Sequence, residues 1–336
     1  MRLSRFVLAV AAVSAFGTAM AEPVKIRLAY VVPVANWFSI LFEKQGLAQH
    51  QGKSYVVEPV HFQGTPPMIT GLANNEIEVA DLGFSSFGLA VENAGMGDLR
   101  VIADEFQDGV PGYYSDEFFV QKDGAVKTIK DLKGKIVATN AAGSAVDIVM
   151  RAALRKNGVD DRKEVSVVEA AFPNMKAMLF EKKVDAIPGV VPFSLDPQLR
   201  AGSRVLFVQK DVVGRTQMIL WAAREPFLKK NRAAMVDFME DSIRAARWFL
   251  DPKNHNEAVE IAARVSKRPA ASFDKWIFLK AGQDGDYYRD PNLVPDLKAL
   301  QANLDLTTEL GLLKGKVDVA KHADLSIVHE AAKRVK

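Results

Sequence analysis

LKGKIVATNAAGSAVDIVMRAALRKNG, Leu132 to Gly158, is the stretch whose reading decides the fold. Ile136, Val137 and Ala138 form an apolar run bounded by Gly134 and Asn140, the pattern of a buried parallel strand. Val146, Val149, Met150, Ala153 and Leu154 then recur at the spacing of one helix face, with Asp147, Arg151 and Arg155 on another. Ser144 with Asp147 three positions on is an N-cap signature, and Gly158 supplies the stop. Ala141, Ala142, Gly143 and Ser144 therefore link a strand's carboxyl end to a helix N-terminus. They have little side chain to cover the free amides of the first turn, so the loop is read as a ligand-binding loop. Gly and Ser also serve geometry alone in such turns, and the rest of the chain has to supply the context.

Upstream, the same unit repeats. KIRLAYVV, Lys25 to Val32, is a strand ended by Pro33, and Trp37, Phe38, Leu41 and Phe42 follow at helical spacing towards Gly46. SYVVEPVHF, Ser54 to Phe62, leads into Gln63, Gly64 and Thr65, where Thr65 caps a helix and Pro66 takes its first position. EVADLGF is a short strand followed at once by Ser85 and Ser86, another helix start made of small residues. This alternation predicts an α/β fold with a mainly parallel sheet, whose ligand loops gather at the carboxyl ends of the strands. After a strand around Leu99 to Ala103, a Gly/Pro/Tyr segment from Asp108 to Tyr114 marks a crossing between domains. Arg215 to Ala223 reads as the strand that brings the chain back, and from Pro226 onward the pattern is helical, with Pro269 opening a further helix.

Met1 to Ala21 has two arginines, an apolar run from Phe6 to Phe16 and Ala19-Met20-Ala21 before Glu22, the layout of a secretory signal peptide cleaved after Ala21. The run is shorter than the ~20 residues a membrane-spanning helix needs. Of 336 residues about 315 then remain, enough for roughly two domains with full cores. Cysteine is absent, which excludes disulfides, thiolate metal sites and Cys nucleophiles. The net charge is +3 for the whole chain, and removal of Arg2 and Arg5 brings it to +1, so no nucleic-acid role is implied. His50, His61, His255, His322 and His329 show no metal-ligand spacing, and neither a metal nor a cofactor is expected.

The chain resembles the ABC-transporter solute-binding proteins of the nitrate/sulfonate/taurine and thiamine-precursor family. The resemblance rests on KIRLAY, MITGLANNEIEVADLGFSSF, TIKDLKGKIVATNAAGSAVD with RAALRKNGVD behind it, and AMLFEKKVDAIPGVVPF, in that order along most of the chain. It implies a two-lobed periplasmic-binding-protein fold of type II, each lobe a mainly parallel sheet flanked by helices, with hinge strands and a C-terminal helical region. Residues 22–116 and 216–336 would form the first lobe and residues 117–215 the second. The resemblance also implies a monomer that works in the periplasm, closes on a small molecule and delivers it to an inner-membrane permease with its ATPase. Family ligand contacts would fall on Asn36, Trp37 and Phe38, on Gln63, Gly64 and Thr65, on Phe84, Ser85 and Ser86, on Gly143, Ser144 and Ala145, and on the loop carrying Phe193. The tyrosine-bearing segment from Asp104 to Ser115 departs from the family pattern.

Two other classes stand beside this one. The receptor of a TRAP-type secondary transporter shares the two-lobed design, but such receptors usually fix a carboxylate with an arginine where this chain has KIVATN. An enzyme of the thiamine-pyrimidine synthase type would need a cysteine-rich motif that is missing here. Amide-rich helix starts with Ser85, Ser86 and Ser144 favour a carboxylate or sulfonate ligand. Trp37, Phe38, Phe84, Tyr114 and Phe193, placed in loops expected at the cleft, favour a ligand with an aromatic or apolar body. Arg215, at the return crossing, is a candidate partner for a carboxylate.

Overall fold

A computed structural model describes residues 22–335; the signal segment and its cleavage site lie outside the described residues. Ten strands form two five-stranded sheets. The first has the order β2-β1-β3-β10-β4, built from β1 (Val24–Tyr30), β2 (Tyr55–His61), β3 (Val79–Gly83), β4 (Leu99–Asp108) and β10 (Thr216–Arg224). The second has the order β7-β6-β8-β5-β9, from β5 (Glu117–Gln121), β6 (Ile136–Thr139), β7 (Ser166–Glu169), β8 (Ala186–Gly189) and β9 (Ser203–Val208). β1 is parallel to β2 and β3, and β6 to β7 and β8, whereas β10 and β5 run antiparallel to their neighbours. The strands whose direction breaks the parallel pattern are those that begin just after the chain crosses from one sheet to the other.

Helices α1 (Pro66–Ala73) and α2 (Phe84–Glu92) follow β2 and β3, and α3 (Ala145–Lys156) and α4 (Phe172–Phe180) follow β6 and β7. The short α5 (Pro197–Gly202) and α6 (Gln209–Val213) flank β9. After β10 come α7 (Glu225–Lys230), α8 (Arg232–Leu250), α9 (His255–Ser266), α10 (Leu297–Glu309) and α11 (Ser326–Arg334). Among them α8 has its Phe238, Met239, Ile243 and Phe249 face fully buried. No helix among the described residues is long and apolar enough to cross a membrane.

Three readings of the sequence are corrected. The segment after β1 is not an α-helix: only Trp37–Ser39 form a 3-10 turn. The Asn36 side chain accepts from the amides of Val31 and Val32, at 3.2 and 2.6 Å, and Val34 takes a positive φ of 72°. Such a side-chain-to-backbone turn competes directly with helix formation. The segment after Pro269 is likewise a single 3-10 turn, Ala270–Ser272, because its apolar residues are spent on an aromatic cluster rather than a periodic stripe. β4 runs five residues beyond Ala103, since Asp104, Glu105 and Asp108 are held inside the protein instead of marking a loop.

The lobe-1 core is aromatic. Trp37 is fully buried, stacked on Phe278 at 5.2 Å and tilted against Phe249 at 5.9 Å, while Phe38 meets Trp221 at 4.3 Å. Replacing Trp37 by Ala removes one of the largest buried side chains and leaves a cavity. Denaturant unfolding is expected to show a loss of about 3–5 kcal/mol. A loss below about 1 kcal/mol would show that the ring packs loosely.

Candidate functional site

The carboxyl ends of the parallel strands of both sheets point into one narrow cavity of about 50 Å³. Val31 and Val32 reach it from the end of β1 and Thr65 from the loop after β2. From the second sheet come Asn140 and Ser144 after β6, Phe172 after β7, and Val190 and Val191 after β8. Met218 and Ile219 of β10, Phe106 of β4 and Tyr287 complete an apolar wall. A second, wider space of about 320 Å³ shares Val31, Val32 and Phe172 and opens past Gln63, Phe193 and Arg268. Phe172 and Phe193 stack at 6.1 Å, and the Arg268 guanidinium lies 5.3 Å from the Phe193 ring. The wider space and its mostly apolar lining have room for a small organic molecule, with the narrow cavity at its inner end.

Around the cavity the two sheets' loops touch directly, and glycines make the contact possible. A Cβ on Gly64 would sit 2.7 Å from Ala141 Cβ, and one on Gly83 would sit 3.1 Å from Ala145 Cβ. Gly143, with φ +79°, would press on Leu89 at 2.9 Å if it carried a side chain. The Ser85 hydroxyl donates to the Gly143 carbonyl at 2.9 Å, and Ser86 shares a 2.7 Å hydrogen bond with Thr65. Ser85 and Ser144 are both buried in this seam.

The start of α3 has the cap read from the sequence. Ser144 Oγ accepts from the Asp147 amide and donates to Asn140 Oδ1. Upstream amides are taken by carboxylates: Gly143 N donates to Asp147 Oδ2 and Ala142 N to Glu169 Oε1, both at 2.8 Å. The amides of Ala145 and Val146, which line the cavity, have no acceptor among the described residues. They are unpaired helix-end donors at the cavity. By contrast, the Trp37 amide donates to Glu105, and α1 opens with two prolines.

The polar floor is acidic. Asp81 and Asp116 line the cavity at zero exposure, and Glu105, also fully buried, lies behind Asp81. Glu105 accepts from Trp37 N and Trp221 Nε1 and lies 3.9 Å from Arg289. Asp116 Oδ1 accepts from the Tyr287 hydroxyl at 2.5 Å. Burial pushes Asp104, Glu105 and Asp108 up to about 7. It raises Asp81 and Asp116 well above the ordinary carboxylate range, with neighbouring Glu105 and Asp108 adding to the effect.

The placement of the other expected residues is mixed. Asn36, Thr65, Ser144 and Ala145 line the inner cavity, and Gln63 and Phe193 the outer space. Gly64, Ser85, Ser86 and Gly143 lie in the seam between the sheets. Trp37, Phe38, Phe84 and Tyr114 are buried away from both spaces; the Tyr114 hydroxyl donates to Gly189 O at 2.7 Å, and Phe84 packs towards Ile148 and Asn303. Arg215 points to Gln107 and Asp296, at 2.7 and 3.1 Å. Sequence reading missed Asp81, Asp116, Asn140, Phe172 and Tyr287. Asp81 alone carried a signal, a carboxylate inside the apolar run VADLG, which is unusual in a strand buried on both faces.

The raised acids predict a pH dependence. Their folded values lie above the unfolded ones, so the folded state binds more protons between about pH 4 and 7. The stability they contribute is fully present below the unfolded value and is lost as pH rises through about 7. The ligand-free protein should melt several degrees higher at pH 5.5 than at pH 8. An equal or lower melting temperature at pH 5.5 would contradict the buried acid cluster.

Comparison with known proteins follows this geometry. A search of curated sequences finds no match. Among solved structures, the alkanesulfonate-binding protein of Xanthomonas axonopodis pv. citri, bound to MOPS, is 21% identical over 91% of this chain and 99% of its own, with a TM-score of 0.69. The periplasmic nitrate-binding protein of Synechocystis PCC 6803 is 15% identical over 94% of this chain and 90% of its own, with a TM-score of 0.71. A desulfurization enzyme is 14% identical over 93% of this chain and 99% of its own, with a TM-score of 0.63. These likenesses establish the two-lobed fold, in which each five-stranded sheet is the centre of a lobe. The model of the NMT1-like family matches residues 19–263, most of the chain, and the protein belongs to that family.

Proposed function

We propose that this protein is an extracytoplasmic solute-binding protein that closes its two lobes on a small organic anion with an apolar body and delivers it to an ABC importer. The observation that carries the reading is the cavity walled by loops from both sheets, with Val31 and Thr65 on one side and Asn140, Ser144 and Val190 on the other. The free amides of Ala145 and Val146 at the start of α3 offer the anionic end a place, each helix end favouring negative charge by about 0.3–1 kcal/mol and up to ~2 when partly buried. The apolar walls favour a hydrocarbon or aromatic body over bare nitrate. Family membership and the binding proteins among the structural neighbours support a binder over a catalyst. The chain has no cysteine to offer as a thiol nucleophile. Work in the periplasm, as a monomer serving a permease and its ATPase, accords with the signal-like N-terminus.

The chain crosses between the sheets twice, before Glu117 and before Thr216, so two connections set the angle between the lobes. Ligand that touches both lobes stabilises the closed form by its differential affinity. A thermal-shift screen of organic sulfonates and carboxylates should find a stabilising ligand, and solution scattering should show a smaller radius of gyration with it. Gly64→Val, which places side-chain atoms against Ala141, should weaken binding of that ligand about tenfold or more. Tight binding restricted to neutral solutes, or an unchanged radius at saturation, would reject the reading.

A further inference from the structure

We infer that His50, Asp237 and Glu240 form a binding site for one divalent transition-metal ion of the zinc type, where α8 packs against β2. The site is separate from solute capture, since none of the three residues lines either interlobe space. Asp237 and Glu240 stand three positions apart on one face of α8. His50 reaches them from the segment before β2, so no spacing in the sequence announces the group. Its Nε2 lies 3.4 Å from Glu240 Oε2, and its Nδ1 lies 3.9 Å from Asp237 Oδ2. One ligand atom from each residue lies within 4.8 Å of the other two. Around a tetrahedral zinc ion with bonds of about 2.0–2.2 Å, ligand atoms stand roughly 3.3–3.5 Å apart. The His50–Glu240 pair already has that spacing, and a movement of about 1 Å at the partly exposed Asp237 carboxylate completes the set.

The surroundings hold these atoms in place. One oxygen of Asp241, also on α8, accepts from the His50 amide at 2.8 Å and from the Tyr55 hydroxyl at 2.7 Å. Arg244 donates to Leu47 O at 3.0 Å. The loop that carries the imidazole is thus tied to the helix that carries the carboxylates. Each carboxylate gives its other oxygen to an arginine: Asp237 Oδ1 accepts from Arg334 at 3.2 Å and Glu240 Oε1 from Arg244 at 2.5 Å. Those bonds fix the carboxylate planes and turn Oδ2 and Oε2 towards the imidazole, the part that outer partners play around a bound metal. Glu240 is 8% exposed, and its Oε2 has no hydrogen bond among the described residues; Arg334 stays 4.0 Å away. A divalent cation supplies the missing partner. One imidazole nitrogen with two carboxylate oxygens suits zinc and its neighbours in the first transition row, whereas calcium takes about six to eight oxygens. The ion clips the segment before β2 to α8 and stabilises the folded chain by binding it alone.

The test is calorimetry and thermal melting of the tag-free mature chain, stripped with a chelator and then given Zn²⁺, with Mg²⁺ and Ca²⁺ as controls. One Zn²⁺ per chain is expected to bind and to raise the melting temperature by several degrees, while Mg²⁺ and Ca²⁺ leave it unchanged. His50→Ala and Asp237→Asn, each shown by circular dichroism to be folded, should weaken Zn²⁺ binding about tenfold or more. Co²⁺ in the natural chain should give the visible absorption of a tetrahedral site, and both variants should lose it. Absence of Zn²⁺ binding, binding unchanged in both variants, or an equal response to Ca²⁺ overturns the inference. None of these outcomes bears on solute capture, which the sulfonate and carboxylate screen reads separately.

Discussion

Glu105 is the group on which the rest of lobe 1 depends. From β4 it accepts the amide that opens the Trp37 turn and the indole N–H of Trp221 on β10, and it stands beside the Arg289 guanidinium. Those three attachments come from chain segments far apart in sequence. A carboxylate so buried is tolerable only when its oxygens are bonded and a cation is near. Removing it would leave two buried N–H donors without an acceptor and take from Arg289 one of its two carboxylate neighbours, which costs more than the pair itself contributes. The turn after β1, the central antiparallel strand and the C-terminal segment are thereby held in one arrangement, and the acidic floor of the cavity is built on it.

The seam between the lobes depends on the opposite device, the absence of side chains. Gly64 and Gly83 let backbone approach Ala141 and Ala145 at distances a Cβ would forbid, and Ser85 then reaches the Gly143 carbonyl. Little apolar surface is needed for such a contact. The small residues that look like anion-binding loops in sequence thus serve the close approach of the two sheets' loops.

The electrostatics of the cavity divide along its depth. At the α3 end, helix amides not taken by Asp147 or Glu169 favour negative charge. At the β3 and β5 end, burial and neighbouring acids favour the protonated form of Asp81 and Asp116.

Periodicity and turn chemistry were sufficient for the βα units after β2, β3, β6 and β7, the Ser144 cap, the small-residue loops and the family, because each depends on residues adjacent in sequence and on the order of short phrases. Strand-to-helix loops were placed at one edge for the same reason, since carboxyl ends of parallel strands share an edge. The direction in which aromatics face was not local. Trp37, Phe38, Phe84 and Tyr114 sit in or beside loops and carry no sign of whether they turn to ligand or to core; partners such as Phe278, Trp221 and Gly189, far along the chain, draw them inward. The acid cluster was hidden likewise. A carboxylate's environment is the sum of everything packed around it, and only the tertiary structure brings Asp81, Glu105, Asp116 and Arg289, from four separate segments, to one place.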